Sequence, residues 1–117
     1  MATFSKQFLS ESTNGRPIRV AATATAGTLI HTAVAGTVNA DEIWIYCVNT
    51  DSVSRQLTIE YGGVTSPDDL IIAGIASKSG LILVVPGLVL QNGLAIKAFA
   101  DTVNVLCLSG WVNRITV

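Results

Sequence analysis

Charged side chains are scarce in this chain. Lys, Arg, Asp and Glu make up 13% of its 117 residues, against the ~25% that is usual in soluble domains. Half of the residues are hydrophobic and the formal net charge is −1, so a single copy has few charges with which to cover its apolar surface. We therefore expect the chain to bury part of that surface in an oligomer or against a partner.

Clustered basic residues and long apolar runs are also missing. The seven Lys and Arg residues are dispersed along the chain, whereas a nucleic-acid-binding surface needs a basic patch or stripe. No segment reaches the ~18 apolar residues of a transmembrane helix, and the N-terminal residues lack the apolar region of a secretory signal. We expect neither a nucleic-acid nor a membrane partner, and we expect synthesis in a cytoplasm.

Catalytic combinations of residues are not found either. A hydrolase needs a nucleophile beside a base, and His31 is the only histidine; we interpret it as a structural or surface residue. Cys47 and Cys107 lie in apolar strand patterns without metal-ligand spacing, which predicts reduced core thiols. The sequence therefore predicts a protein that is not an enzyme and that holds no cofactor.

The adjacent carboxylates Asp68 and Asp69 follow Ser66-Pro67. Aspartate in this position is typical of a turn that it caps through its own side chain. A hard cation could bind such a pair, but a calcium site needs several further oxygen ligands at set spacing. We interpret the pair as turn-capping and leave a bound cation open.

The residues that are present favour strands. About eight segments rich in β-branched and apolar residues alternate with turn clusters, and this pattern predicts an all-β fold: a single antiparallel β-sandwich or a jelly-roll-like barrel. Residues 1–15 are expected to form a short N-terminal arm, in which Phe4 and Phe8 have a spacing that also suits a short helix. Residues 16–117 are expected to form the β-sandwich domain.

Two segments dominate the predicted sheet. The run Leu81–Leu90 is apolar except at Pro86-Gly87, where the lack of an amide donor must break or bend the strand, and we expect the rest of the chain to be organised around it. The segment Ile43–Asn49 is expected to be a central strand covered on both sides.

Other local patterns make further predictions. Alternation in Arg55–Tyr61 points Gln56, Thr58 and Glu60 to solvent. Asn92-Gly93 predicts a tight hairpin, because both residues tolerate positive φ. Gly110, inside the last strand, predicts a bulge or a close approach of two backbones.

Aromatic and aliphatic side chains supply the candidate interface. Trp44 and Tyr46 fall on one face of their strand, and aromatic residues at a period of two are typical of a core or an interface. We predict that these two residues and the segment Leu88, Val89 and Leu90 contact another subunit. Phe4 and Phe8 of the arm are predicted to contact a neighbouring protein.

Five segments, taken together, resemble small β-rich virion proteins of tailed bacteriophages. They are residues 12–25, 29–33, 41–49, 59–71 and 79–88. None of them is a catalytic or ligand-binding motif, so the resemblance carries over no functional residue. Among such proteins, the chain is most similar to capsid decoration, or cement, proteins.

The resemblance implies a location and partners. A decoration protein sits on the outer surface of the expanded head as a trimer, contacts the major capsid protein and stabilises the shell. The arm would then make the capsid contact. The alternative is a tail, fibre or receptor-binding virion protein in which Trp44 or Trp111 stacks on a sugar; a head-completion or tail-tube component is a third possibility.

Overall fold

The computed structural model describes residues 2–117, and nine antiparallel strands account for its regular structure. The strands are β1 (Thr3–Phe8), β2 (Ile18–Arg19), β3 (Thr28–Thr32), β4 (Ala40–Asn49), β5 (Arg55–Tyr61), β6 (Leu70–Ile75), β7 (Ile82–Leu90), β8 (Ala95–Ala100) and β9 (Leu106–Thr116).

The strands form two sheets. Sheet A has the order β1-β9-β4-β7, with β2 also paired to β9, and sheet B has the order β3-β8-β5-β6. The inner faces of the two sheets pack together around a core of Leu, Ile and Val side chains. The predicted β-sandwich is therefore confirmed, and the sheets do not close into a barrel.

The centre of sheet A is the pair β4 and β9. These strands pair in unbroken register from Ala40 opposite Ile115 to Asn49 opposite Leu106. Along β4 every second residue is buried, because a strand points alternate side chains to opposite faces of a sheet. The predicted central position of this strand is confirmed, while its outer face is only half-buried.

The run that we expected to organise the chain lies instead at an edge of sheet A, as β7. It pairs with β4 through two register shifts near Pro86, so it is one bent strand. Gly87 has a φ of +77°, and a Cβ on it would lie 2.8 Å from the Trp44 ring. The ring therefore packs directly on the β7 backbone, and only glycine fits beneath it.

The connections explain why the strand order could not be predicted. Only β5 and β6 are paired neighbours in sequence; most other connections cross from one sheet to the other. Asn92 and Gly93 do adopt positive φ values of 65° and 68°, as a tight turn requires. The predicted hairpin is nevertheless wrong, because this turn joins β7 of sheet A to β8 of sheet B.

The prediction that β5 has a solvated face holds for Gln56, which is exposed, and is wrong for Thr58 and Glu60. Thr58 and Glu60 are buried because the connection from β2 to β3 passes over the sheet. Gly27 in this connection lies so close to β8 that a Cβ would be 2.5 Å from the Ala98 carbonyl oxygen. Its N–H donates to Glu60 Oε1 at 2.7 Å, and the Thr25 hydroxyl donates to Oε2.

The N-terminal segment is a strand and not a helix. All six residues of β1 are exposed, and their backbone pairs with the distal half of β9. The chain then places Leu9 in the core and returns to the same edge of β9 as β2. Met1, the first residue of the expected arm, lies outside the described residues.

Candidate interaction surface

The outer face of sheet A is the surface on which the large aromatic residues meet. We define it by the side chains that point away from sheet B. The strand registers place them in cross-strand rows: one row holds Phe8, Trp111, Trp44 and Pro86, and the next holds Lys6, Asn113, Glu42 and Val89, while Phe4 and Tyr46 flank these rows.

The aromatic rings on this face are in contact. Trp111 stacks with Trp44 at 6.0 Å between ring centroids and with Tyr46 at 5.9 Å, a separation at which offset rings attract each other. Lys6 Nζ lies 5.1 Å from the centroid of the Trp111 ring, which is a cation–π distance. These contacts fix the orientation of the rings and leave an apolar surface with little charge.

Two charges of opposite sign lie beside the rings. Glu42 Oε1 accepts hydrogen bonds from Trp44 Nε1 at 2.7 Å and from Asn113 Nδ2 at 2.9 Å. These two hydrogen bonds lower the pKa of Glu42, so its side chain is a carboxylate. The other carboxylate oxygen of Glu42, Oε2, accepts no hydrogen bond from any of residues 2–117. Lys6 likewise forms no ion pair with any of these residues.

The predicted interface residues are mostly brought together here. Phe4 and Phe8 are 72% and 63% exposed, and Val89 is 56% exposed. Trp44 and Tyr46 are half-buried by the stack. Leu90 does not lie on this exposed surface, because it packs against the core near Gly62. Leu88 pairs with Ile43 on the edge strand β7.

A shallow groove lies at the β1 side of this face. Its volume is about 560 Å³, and it is lined by Lys6, Gln7, Phe8, Gly15, Gly110 and Trp111. A sugar-stacking site would place an exposed aromatic ring beside carboxylates. No carboxylate lines this groove, and Lys6 lies over the Trp111 ring.

A second group of polar residues is enclosed between the sheets. Asp41 on β4 is completely buried. Arg114 on β9 binds it through two hydrogen bonds, Nε to Oδ1 at 2.8 Å and Nη2 to Oδ2 at 3.0 Å. His31 Nε2 and the Val34 N–H donate to Oδ2 as well, at 2.8 and 3.1 Å. The carboxylate is thus neutralised and fully hydrogen-bonded, as a buried charge requires.

This network fixes the N-terminal segment. The Ser10 N–H donates to His31 Nδ1 at 2.9 Å, so the ring proton is on Nε2, where it is donated to Asp41. The Ser10 hydroxyl oxygen accepts the Thr32 N–H at 2.8 Å and forms no hydrogen bond with His31. With His31 only 1% exposed, the Ser, His and Asp side chains hold backbone segments together and confirm the structural interpretation of His31.

Sequence reasoning missed Asp41 and Arg114, although the pattern contains a signal for them. Asp41 is an even number of residues from the buried Ile43 and Ile45, so its side chain points to the same inner face of β4. Arg114 is related in the same way to the buried Val112 on β9. A charged residue at an inward position of a strand needs an inward partner of opposite charge. Pairing the two requires the strand register, which the sequence does not give.

The turn prediction for Asp68 and Asp69 is resolved by one contact. Asp69 Oδ2 accepts the Thr65 N–H at 3.0 Å, so Asp69 caps the turn, although its hydrogen bond goes back to the start of the turn and not to the strand that follows. Among residues 2–117, no three His, Cys, Asp or Glu side chains come together as a possible metal site.

Comparisons with family models, with curated proteins and with solved structures find no match to this chain. In the part of the chain that the structure describes, no helix is long and apolar enough to cross a membrane.

Proposed function

We propose that this chain is a structural protein of a tailed-bacteriophage virion, a capsid decoration protein that binds the outer head surface as a homo-oligomer and stabilises the expanded shell. The resemblance in sequence supplies the virus class, the major capsid protein as partner and the trimer as oligomer. The physical properties of the chain supply the reason for association.

The observation that carries the proposal is the outer face of sheet A. Aromatic and aliphatic side chains cover it, in a chain of which only 13% is charged. Exposed aromatic and aliphatic side chains that lie together on one face are typical of a surface that contacts protein. Trp and Tyr are also the residues that contribute most to such contacts.

The rigidity of the domain supports the same role. A shell component must hold its shape under load, and here the two sheets are tied together in their interior by the Asp41 network. The N-terminal segment, which would reach a neighbouring capsid subunit, is held at Ser10 by His31 and at Leu9 by the core. In this proposal Phe4 and Phe8 contact the capsid, while Trp44, Tyr46 and Val89 contact another copy.

The proposal is tested by binding to capsids. Expanded capsids that lack this protein are mixed with the purified chain and sedimented, and the bound protein is quantified. We expect saturable binding to expanded capsids and an increase in their resistance to heat. Failure to co-sediment at any protein concentration would overturn the proposal.

A further inference from the structure

Two unpaired charges beside the aromatic rows, Lys6 and Glu42, are placed for mutual recognition. Lys6 and Glu42 both pair with Asn113, from opposite sides of β9, so they are two strand spacings, or about 10 Å, apart. This is too far for an ion pair within one chain. Each charge lies next to the aromatic row, where a partner would exclude water and strengthen the attraction.

We infer that a second copy of this chain packs on the outer face of sheet A, with Lys6 of one copy facing Glu42 of the other. Near the aromatic rows the face carries one cation and one carboxylate, and this pair is complementary in charge to itself. Arg19, which pairs with Cys107, adds a second cation three rows away, at the far end of β9. A partner of strongly acidic or strongly basic character would leave one of the two charges opposed by a like charge. The inference rests on the self-association in the proposed function and assigns it a contact.

The size of the face suits this occupant. Four strands spaced ~4.8 Å apart and ~30 Å long span roughly 600 Å², which approaches the roughly 800 Å² per partner of a standard stable interface. Trp111 and Trp44 lie near its middle, where interfaces have their strongest contacts. Phe4, Phe8 and the free backbone edge of β1 lie at its rim and stay available to the capsid.

The same contact is possible in two symmetries. In a two-fold pair it forms twice in one interface, whereas around a three-fold axis it forms once in each interface. The charge pairing is common to both, and the mass of the oligomer distinguishes them.

Charge reversal tests the inference directly. The wild type and the variants Lys6→Glu and Glu42→Lys are compared by light scattering after size exclusion over a range of protein concentrations. Each single reversal places like charges opposite each other, and we expect at least a ~10-fold weaker association. The double variant, Lys6→Glu with Glu42→Lys, restores opposite charges, and we expect it to recover the wild-type mass.

Matched controls separate this contact from general charge effects. Lys78→Glu and Asp68→Lys make the same changes at exposed positions elsewhere, and we expect both to keep the wild-type mass. Glu42→Gln removes the charge but keeps an acceptor for Trp44 and Asn113, so it weakens association without disturbing the fold. Circular dichroism verifies the fold of every variant.

The outcomes are decisive for this contact. A monomeric wild type, single reversals that keep the wild-type mass, or a double variant that stays dissociated would each overturn the inference. None of these results affects capsid binding by the individual chain, so the proposed function is tested separately by co-sedimentation.

Discussion

His31 Nε2 lies 2.8 Å from Asp41 Oδ2, and this hydrogen bond joins β3 of sheet B to β4 of sheet A across the interior. Both side chains are almost completely buried, so water cannot replace either partner. The free energy of unfolding of the sandwich therefore depends on the buried carboxylate of Asp41, and substitution of Asp41 measures how much.

The variant Asp41→Asn is expected to lower the free energy of unfolding by about 3 kcal/mol, because it leaves the Arg114 guanidinium without its counter-charge in a partly buried site. Burial raises the pKa of Asp41, but the hydrogen bonds from Arg114 and His31, together with the charge of Arg114, outweigh burial and hold the pKa below its ordinary value of 3.8. Urea denaturation of both proteins at neutral pH measures the difference.

The same pair of proteins gives a dependence on pH. A carboxyl whose pKa is lower in the folded state stabilises the fold above its ordinary pKa, and this contribution is lost as the pH falls through the folded-state value. The difference in stability between wild type and Asp41→Asn should therefore be constant near neutral pH and shrink below about pH 4. A difference that is independent of pH throughout this range would contradict the account of Asp41.

Gly110→Ala is expected to destabilise the fold by at least ~2 kcal/mol, because a Cβ at this position would collide with the Trp44 carbonyl oxygen on the adjacent strand. Gly74→Ala is the matched control: it lies in β6 and nothing is within 4 Å of its added Cβ. We expect the control to change stability by less than ~0.5 kcal/mol. Similar midpoints of thermal unfolding for the two variants would refute the close approach.

Cys47 is expected to be unreactive in the folded protein. Burial, with a smaller effect of Cys107, raises its pKa to about 12, so its nucleophilic thiolate is not populated at neutral pH. Cys107 points to the opposite face of sheet A and is half-buried. Mass spectrometry after iodoacetamide treatment should find Cys47 modified only in guanidinium chloride, and its labelling under native conditions would show that the core is open.

Joint replacement of Phe4 and Phe8 by Ser is expected to lower binding to expanded capsids at least ~10-fold, since both side chains are exposed on β1 and buried aromatic anchors contribute ~2 kcal/mol or more each. The oligomer mass of the variant is measured in parallel. Unchanged binding would show that the N-terminal segment does not contact the capsid.

The fold class was predictable because alternation is a local property. Leu57, Ile59 and Tyr61 alternate with polar residues, and the structure makes this segment the strand β5 with Leu57 and Ile59 in the core. The turn at Asn92-Gly93 was predicted correctly in conformation, but its partner strands were not. Whether a turn closes a hairpin or carries the chain to the other sheet depends on distant contacts that no short segment encodes.

The candidate site was predictable only in part, for the same reason. Trp44 and Tyr46 could be assigned to one face from their spacing, but their contact with Trp111 and Lys6 depends on the pairing of β4 and β1 with β9. Glu60 was predicted to face solvent because nothing in the sequence of the covering connection indicates that it packs on β5. The connection binds Glu60 through the Gly27 N–H and the Thr25 hydroxyl, and neither residue has an apolar side chain that would indicate packing.

The measurement that tests the central claim most directly is the copy number of this chain in purified particles relative to the major capsid subunit, by quantitative mass spectrometry. The account predicts an abundance comparable to that of the capsid subunit, because a decoration protein repeats over the whole shell. A handful of copies per particle, or none, would contradict it and would instead indicate a tail, fibre or non-virion protein.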